Sequence, residues 1–484
     1  MVSATWRYVQ GACVFLLVLA CSCAGPHAQK RGPRIDQASE LLDSPHPRER
    51  IRALETFSNA WLEVRMRRHR ILRMVFEDPD EEVRAEAFTV VTILGPLSDS
   101  HSLDFLLLRL TEGTLEARWR AAQLIGGMRE YAANATHRLL GFLNKKDQIA
   151  PEVAKALGRI AGRNEQVATR LRNLLEDQSA PDYLRAECAL ALGRVGGKAD
   201  VEALLAAARS DDAGIRGEAA GGLGELRVQN RDVVNRLVAL TADPYVKRRA
   251  AWALGRLGNT SEEVVTALTR LLSHDDVFTR RQAIKAFLEL RAQSPHPVVA
   301  LLNAATNDSL HANRLDALES IVQIGTPAIP TLRNALLHGE IRTKRPSATA
   351  LAQIPSGWKT LAENVESRDV QVGAACCFGM RHVPKEWGRN CEGALIKALA
   401  RDFTRAEALF AIQDLGLTSD RIVRAVGVYL ANVERDRFAA WRALEIVSAA
   451  AEESRTAREL LRLAAKSSHS GIAASAKAVL KELK

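Results

Sequence analysis

The segment VKRRAAWALGRLG, Val246 to Gly258, decides the fold of this chain because close variants of it recur along the sequence. LRAECALALGRVG (Leu184 to Gly196) and IRGEAAGGLGELR (Ile215 to Arg227) follow the same template. The template contains an apolar residue, a cation, two variable residues, a small residue, two variable residues, an apolar pair and a Gly. Self-similarity at a regular spacing is the sequence signature of a repeat protein.

The small residue of the template marks a column with one member in each repeat. Successive members lie 28 to 35 residues apart over fourteen repeats. A spacing held over that length predicts a stack of similar supersecondary units. The column consists of Ala53, Ala87, Ala121, Val153, Cys188, Ala219, Ala250, Ala283, Ala317, Ala348, Cys376, Ala408, Ala443 and Ala476.

Each repeat predicts two helices. The first is an apolar-periodic segment such as Glu262 to Ser273. A turn containing Asp, such as His274-Asp275-Asp276, then precedes the second helix, where a carboxylate caps free backbone N–H groups. One helix pair cannot bury its apolar face alone, so neighbouring repeats must stack. The glycines expected to end second helices are Gly193, Gly224 and Gly255.

The composition favours an all-helical array. Aromatic residues make up 5% of the 484 residues and hydrophobic residues 47%, so the apolar content is mostly Ala, Leu and Val, which fill helix–helix contacts well. The chain has 67 Lys and Arg against 57 Asp and Glu, a formal charge of +10. Charges of both signs are interspersed, which is typical of a solvated helical surface rather than a nucleic-acid-binding stripe.

The pattern Asp, Val-Arg, Ala and Ala-Leu-Gly-x-x-Gly resembles the short HEAT repeats named after the phycobilisome (PBS) lyases. The resemblance covers roughly residues 35–484 and is clearest from Pro181 to Gly258. It implies an all-α protein of ARM-type fold: an α-solenoid, a right-handed superhelix of about fourteen HEAT-like helix pairs. The resemblance is specific for fold and poor for function, because the template residues serve packing and capping.

A cation recurs three residues before the small-residue column. We predict an internal ladder in which each cation pairs with Asp side chains or helix-end carbonyls of its own or the adjacent repeat. An anion-binding row is the alternative. The cations are Arg50, Arg84, Arg118, Arg185, Arg216, Lys247, Arg280, Arg314, Arg345 and Arg405.

The candidate partner-binding surface is the face of the second helices opposite their packed side. Positions two before and two after the column residue lie on that face. In adjacent repeats they hold Arg248, Trp252, Arg281 and Lys285; other repeats place Trp119, Phe378, Phe410 and Trp441 there. Second helices commonly line the concave side of a solenoid, and cations around a Trp suit an acidic peptide or an anion with an apolar part. The alternative is Trp packing on neighbours beside solvated arginines.

The sequence contains no catalytic or metal-binding constellation, and we expect no cofactor. It has no Gly-rich phosphate loop, no Gly-x-Ser-x-Gly and no His-Glu-x-x-His, and none of its eleven histidines precedes a Glu. Cys188 and Cys376 occupy the small-residue column and are expected in the core. The sequence alone neither requires nor excludes a disulfide from Cys376 or Cys377 to Cys391.

The N-terminal segment predicts export and lipid attachment. The apolar run over residues 11–23 is shorter than the roughly 20 residues that span a bilayer, and it has the length of a signal-peptide core. Val18-Leu19-Ala20-Cys21 resembles a bacterial lipobox, which implies cleavage before Cys21 and a diacylglyceryl group on its sulfur. The cations Lys30, Arg31 and Arg34 oppose translocation, so an unused signal is the alternative.

These patterns divide the chain into a signal peptide with its lipobox (1–20), a flexible tether (21–34) and a repeat solenoid (35–484). Ser22 after Cys21 implies the outer membrane, facing the periplasm; the cytoplasm is the alternative. We expect a non-catalytic scaffold or adaptor at the cell envelope. It would bind a protein partner, with an acidic protein as one option, and it would bind no nucleic acid. The alternatives are a bilin-lyase-like enzyme or chaperone, which the resemblance implies, and a cationic nucleic-acid-binding HEAT protein.

Overall fold

A computed structural model describes residues 35–58, 68–95, 97–291 and 294–483. The signal peptide, Cys21 and the tether up to residue 34 lie outside these ranges, so the assignments made there stay predictions. The chain divides into two compact units, residues 1–162 and 163–484. Within the described ranges all regular structure is helical, which confirms the predicted all-α class. None of the described helices combines the length and the apolarity needed to cross a bilayer.

The first unit contains α1 (Ile35–Leu41), α2 (Pro47–Ser58), α3 (Arg68–Glu77), α4 (Glu81–Ile93), α5 (Ser100–Glu112), α6 (Leu115–Gly127), α7 (Thr136–Leu140) and α8 (Ala150–Ile160). The second unit contains α9 (Glu165–Glu176), α10 (Asp182–Val195), α11 (Val201–Ala207), α12 (Ala213–Leu226), α13 (Arg231–Leu240), α14 (Lys247–Leu257), α15 (Glu262–Leu271), α16 (Val277–Leu290), α17 (Val298–Asn307), α18 (His311–Ile324), α19 (Ile329–His338), α20 (Ile341–Gln353), α21 (Gly357–Asn364), α22 (Val370–Met380), α23 (Lys385–Gly388), α24 (Glu392–Leu399), α25 (Asp402–Asp414), α26 (Asp420–Ala431), α27 (Arg437–Ala449), α28 (Arg455–Ala464) and α29 (Ser470–Glu482).

The second helices of consecutive repeats pack directly on one another. In the first unit the succession is α2, α4, α6 and α8; in the second unit it is α10, α12, α14, α16, α18, α20, α22, α25, α27 and α29. All fourteen residues of the small-residue column have an exposed fraction of 0%. The column therefore marks the buried line along which each second helix meets the next, as its small side chains predict.

The glycines predicted to end second helices lie inside them: Gly193 in α10, Gly224 in α12 and Gly255 in α14. That prediction was wrong, because these positions serve close packing. A Cβ on Gly193 would lie 2.3 Å from the Cα of Gly222 in the next second helix. The helix α14 ends at Leu257, and Gly258, which follows it, adopts a left-handed φ of 74°.

Aspartates cap the second helices as the turn composition predicts. The Asp276 side chain accepts hydrogen bonds from the backbone N–H groups of Phe278 and Thr279. Other second helices begin in the same way, with Asp80, Asp212, Asp369 and Asp436 as their caps.

The predicted arginine ladder is present. Arg280 donates from Nη1 to the carbonyls of His274 and Asp275 in its own repeat, at 2.8 and 2.9 Å. It donates from Nε to Asp308 in the next repeat at 2.7 Å. One guanidinium thus ties the turn of its own repeat to a carboxylate of the next. The same double attachment joins Arg50 to Asp78, Arg216 to Asp243 and Arg405 to Asp436.

Arg345 departs from this ladder, so its assignment was wrong by one residue. Lys344 fills the position instead: it is buried, donates from Nζ to the Leu336 carbonyl at 3.0 Å and lies 3.5 Å from Asp369. The Arg345 side chain is 59% exposed and contacts other repeats. Because Lys344 occupies the ladder position, Arg345 is available to the exposed surface described below.

We expect Gly193→Ala to lower the thermal unfolding temperature by several degrees, since the added Cβ would clash with the backbone at Gly222. The matched control is Gly393→Ala in α24, where a Cβ meets nothing within 4 Å. This control should unfold at or slightly above the temperature of the unchanged protein, because Ala favours helix. Equal unfolding temperatures for the two variants would show that the close approach is dispensable.

Acid should weaken the ladder at Asp308. Burial by itself raises the pKa of this carboxyl. Hydrogen bonds from Arg280, the Leu310 N–H and Asn313 lower the pKa by more than burial raises it, so the pKa lies below its usual range. Its contribution to stability is therefore present above the unfolded pKa of about 3.9 and is lost as pH falls through the lower folded value.

Asp308→Asn should accordingly cost about 2 kcal/mol at pH 7, where it leaves Arg280 without its carboxylate. Between pH 5 and pH 3, the urea concentration at the unfolding midpoint should also fall less for the variant than for the unchanged protein. Asp275→Asn is the control, because Asp275 is exposed and meets Arg280 through its backbone carbonyl. Parallel pH curves for Asp308→Asn and the unchanged protein would contradict the assignment.

Candidate functional site

The four residues of the sequence-based patch lie on α14 and α16, which pack side by side. Arg248 and Lys285 are exposed, whereas Trp252 and Arg281 are half-buried. The residues chosen from the helical wheel therefore reach the surface, as a partner-binding face requires.

Other cations cover the Trp252 ring. Within the described ranges, the guanidinium carbons that lie over it belong to Arg249, 5.3 Å from the ring centroid, and Arg256, at 6.0 Å. Gly221 in the preceding second helix makes room for Arg249, since a Cβ there would lie 2.9 Å from its Nε. The wheel missed both arginines because they lie one residue before and six residues after the column.

Carboxylates neutralise much of this charge. Glu218 pairs with Arg249, and Glu225 accepts from Arg194 at 3.3 Å and from Arg256 at 3.0 Å. Burial raises the pKa of Glu225, but the hydrogen bonds from the two arginines outweigh it and hold the pKa below its usual range. We call these residues with Trp252 the Trp252 cluster; its three arginines face two carboxylates.

A longer arrangement of the same kind crosses α20, α22, α25 and α27. Guanidinium groups and phenyl rings alternate along it, with carbon-to-centroid distances of 4.7 to 5.8 Å. The rings of Phe410 and Phe438 also contact each other, with centroids 5.7 Å apart. We call this the aromatic–arginine row; in spatial order it comprises Arg345, Phe378, Arg381, Phe410, Arg442 and Phe438.

Each arginine of the row has a carboxylate. Glu407 lies 3.1 Å from Arg345 and 3.6 Å from Arg381. Asp414 pairs with Arg381 at 2.6 Å, and Glu445 pairs with Arg442 at 2.8 Å. Three cations and three carboxylates leave the row without net charge, while the guanidinium groups hold the rings in place through cation–π contacts.

The row remains open to solvent. Phe438 is 45% exposed and the nearby Trp441 is 38% exposed. Trp441 contacts the His469 ring edge-on at 6.2 Å, which carries the aromatic surface into the last repeat. Rigid aromatic side chains and arginines are the residues most enriched in protein interfaces, so the row is suited to bind a mixed apolar and polar surface.

Sequence reasoning found part of the row. Phe378 and Phe410 of the row, like the nearby Trp441, occupy the positions two away from the column, but Arg381, Arg442 and Phe438 lie five after, one before and five before it. No single repeat position contains these three residues. These three residues could have been found in the sequence by pairing every Arg with every aromatic residue one repeat away.

The described cysteines are buried and unbridged, so the disulfide left open by the sequence is not formed. Burial raises the pKa of Cys376 to about 12 and that of Cys391 to about 11. The pKa of Cys377 is raised by burial as well. These thiols are protonated at neutral pH and act as core residues. Within the described ranges, no group of three or more His, Cys, Asp or Glu is arranged to hold a metal ion.

Known proteins match this architecture. A family model described as HEAT repeats matches residues 201–289 and 232–309. Residues 201–309 of this chain are thus similar to HEAT repeats. The crystal structure of a Kap121p mutant has the same fold, with 12% identity and a TM-score of 0.50 over 93% of this chain and 52% of that chain.

Part of the chain is also similar to a phycocyanobilin lyase subunit. Phycocyanobilin lyase subunit alpha from Nostoc sp. is 28% identical over an alignment of 172 residues, and the match covers 32% of this chain and 62% of that protein. The aligned stretch thus spans less than two thirds of the relative. The structure of the CpcE and CpcF complex of phycocyanin lyase, also from Nostoc sp., aligns with 23% identity and a TM-score of 0.26 over 47% of this chain and 92% of that chain.

Proposed function

We propose that this HEAT-repeat protein is a non-catalytic scaffold that binds another protein on the exposed face of its second helices. The observation that carries the proposal is the aromatic–arginine row. Phe438 contacts Phe410 on the preceding second helix but stays 45% exposed, whereas the small-residue column that packs these helices is fully buried. Rings held by paired arginines lose little freedom on binding, which favours association.

The charge distribution on this face favours a protein over nucleic acid. Nucleic-acid affinity comes largely from cations that replace counterions along the phosphate backbone. In the row and in the Trp252 cluster the arginines are already paired with carboxylates. The formal charge of +10 therefore does not describe these surfaces. The exposed cations Arg248 and Lys285 of the sequence-based patch would suit an acidic partner.

We also propose that the scaffold is held at the cell envelope by a lipid on Cys21. The support is the sequence Val18-Leu19-Ala20-Cys21 after a short apolar run. Thirteen residues, Ser22 to Arg34, separate Cys21 from the first described helix.

A lyase-like function is the second candidate, and the partial identity to phycocyanobilin lyase subunit alpha favours it. A protein of this kind would bind a bilin or attach it to a cysteine of another protein. Purified protein that retains a coloured chromophore, or that catalyses such attachment, would replace the scaffold proposal.

Partner binding should depend on the exposed face. Phe438→Ala with Trp441→Ala should reduce the amount of one defined protein recovered after crosslinking in cells by roughly tenfold, a usual effect of removing interface aromatic residues. A triple variant that combines Arg248→Glu, Arg281→Glu and Trp252→Ala tests the sequence-based patch in the same way. The measurement is quantitative mass spectrometry, with thermal unfolding as the check on folding.

The control is Arg209→Glu with Arg270→Glu, which reverses two exposed charges outside the second helices. It should leave recovery unchanged. Equal recovery with the control and with both face variants would remove the second-helix face as the binding surface.

Lipid attachment has a direct test. Cys21→Ser should abolish incorporation of labelled fatty acid and leave the precursor unprocessed, because the acceptor sulfur is gone. Cys23→Ser is the matched control and should be labelled normally. Labelling that survives Cys21→Ser would eliminate the lipid anchor and leave the scaffold proposal standing.

A further inference from the structure

An open cavity of about 350 Å³ lies in the second unit, among the turns that follow one second helix and precede the next first helix. Three cations line it: Arg163, Lys198 and Arg227. Each comes from a different turn, and the three turns belong to consecutive repeats. The rest of the lining is uncharged and consists of Gly197, Leu226, Val228, Gln229 and Asn230.

Two carboxylates beside these turns, Asp200 and Glu165, interact with other groups. Asp200 is fully buried, accepts from Arg172 Nε at 2.7 Å and accepts from the Gly197 N–H at 2.8 Å. Glu165 lies 3.5 Å from Arg172. In the described part of the chain, no ion pair involves the three cations of the cavity. They differ in this from the ladder arginines, each of which meets an acid or a carbonyl.

Arg227 occupies a backbone position that favours glycine. Its φ is 55° and its ψ is 30°, in the left-handed region at the end of α12. Gly258 and Gly325 take positive φ values at the same place in other repeats. A side chain with a Cβ strains this conformation. Arg129 and Arg291 take positive φ values as well, so the strain is not specific to Arg227, and what sets Arg227 apart is that its side chain lines the cavity.

We propose that this cavity binds a small polyanion carrying at least two phosphate or carboxylate groups. The guanidinium forks of Arg163 and Arg227 match such oxyanions in geometry, and Lys198 adds a point charge. The volume is at the lower end of the range of ligand sites, about 300 to 1,000 Å³. The N-termini of α9 and α13 begin beside the cavity, after Asn164 and Asn230, and their positive ends add to the attraction.

A purely structural role for the cations makes different predictions. Basic residues after a helix C-terminus offset its negative end, so Arg227→Gly would then weaken folding and no anion would respond to the change. The ligand-site proposal predicts that Arg227→Gly keeps or raises the unfolding temperature, because Gly relieves the strain, and that it loses anion binding.

The test uses the full chain at low ionic strength, with pyrophosphate and citrate as probes and sodium chloride at matched ionic strength as the blank. Isothermal titration should show saturable binding of at least one probe, and the preferred probe identifies the phosphate or carboxylate source. Arg227→Gly and Lys198→Gln should each weaken that binding by roughly tenfold or more, the usual effect of losing a charge-assisted hydrogen bond.

Arg291→Gly is the matched control. Arg291 also has a left-handed φ, 47°, and the same side chain, but it does not line the cavity. It should retain the affinity of the unchanged protein. The proposal is overturned if neither probe saturates, if chloride produces the same response, or if Arg291→Gly weakens binding as much as Arg227→Gly. Because the cavity is separate from the second-helix face, these results are independent of partner capture.

Discussion

The structure depends on how closely consecutive second helices approach. The column of small residues is completely buried, and Gly193 leaves no room for even a methyl group against Gly222. Helices at this distance gain dispersion contacts along their length, and larger side chains at the contact would force them apart. The first helices, the turns and the exposed faces take their places from this line of contact.

The arginine ladder follows from the same repeat geometry. Once second helices are stacked, a cation near the start of each one reaches the turn carbonyls of its own repeat and an aspartate of the next, as Arg280 does with Asp308. Many of the basic residues are thereby used inside the stack. Net charge is for this reason a poor guide to what the protein binds.

Two surfaces stand apart from this internal use of charge. On the second-helix face, arginines are neutralised by acids such as Glu407 and hold exposed rings, an arrangement suited to a protein surface. At the turns, Arg163, Lys198 and Arg227 face a cavity without a carboxylate, an arrangement suited to a small anion. A scaffold with both surfaces would bind a partner on one and respond to a soluble anion on the other.

The sequence alone determined the helical class, the number of repeats, the buried column and most of the ladder, because these depend on spacing within a repeat and the helical period converts spacing into direction. It misjudged Gly193, since a glycine that ends a helix and one that admits a neighbouring helix look the same in one dimension. It also chose Arg345 in place of Lys344 for the ladder and did not find the arginines that cover the Trp252 ring. Those contacts join residues on different helices, such as Arg249 and the space above Gly221. Only the tertiary structure decided them, because the offset between adjacent helices determines which side chains meet.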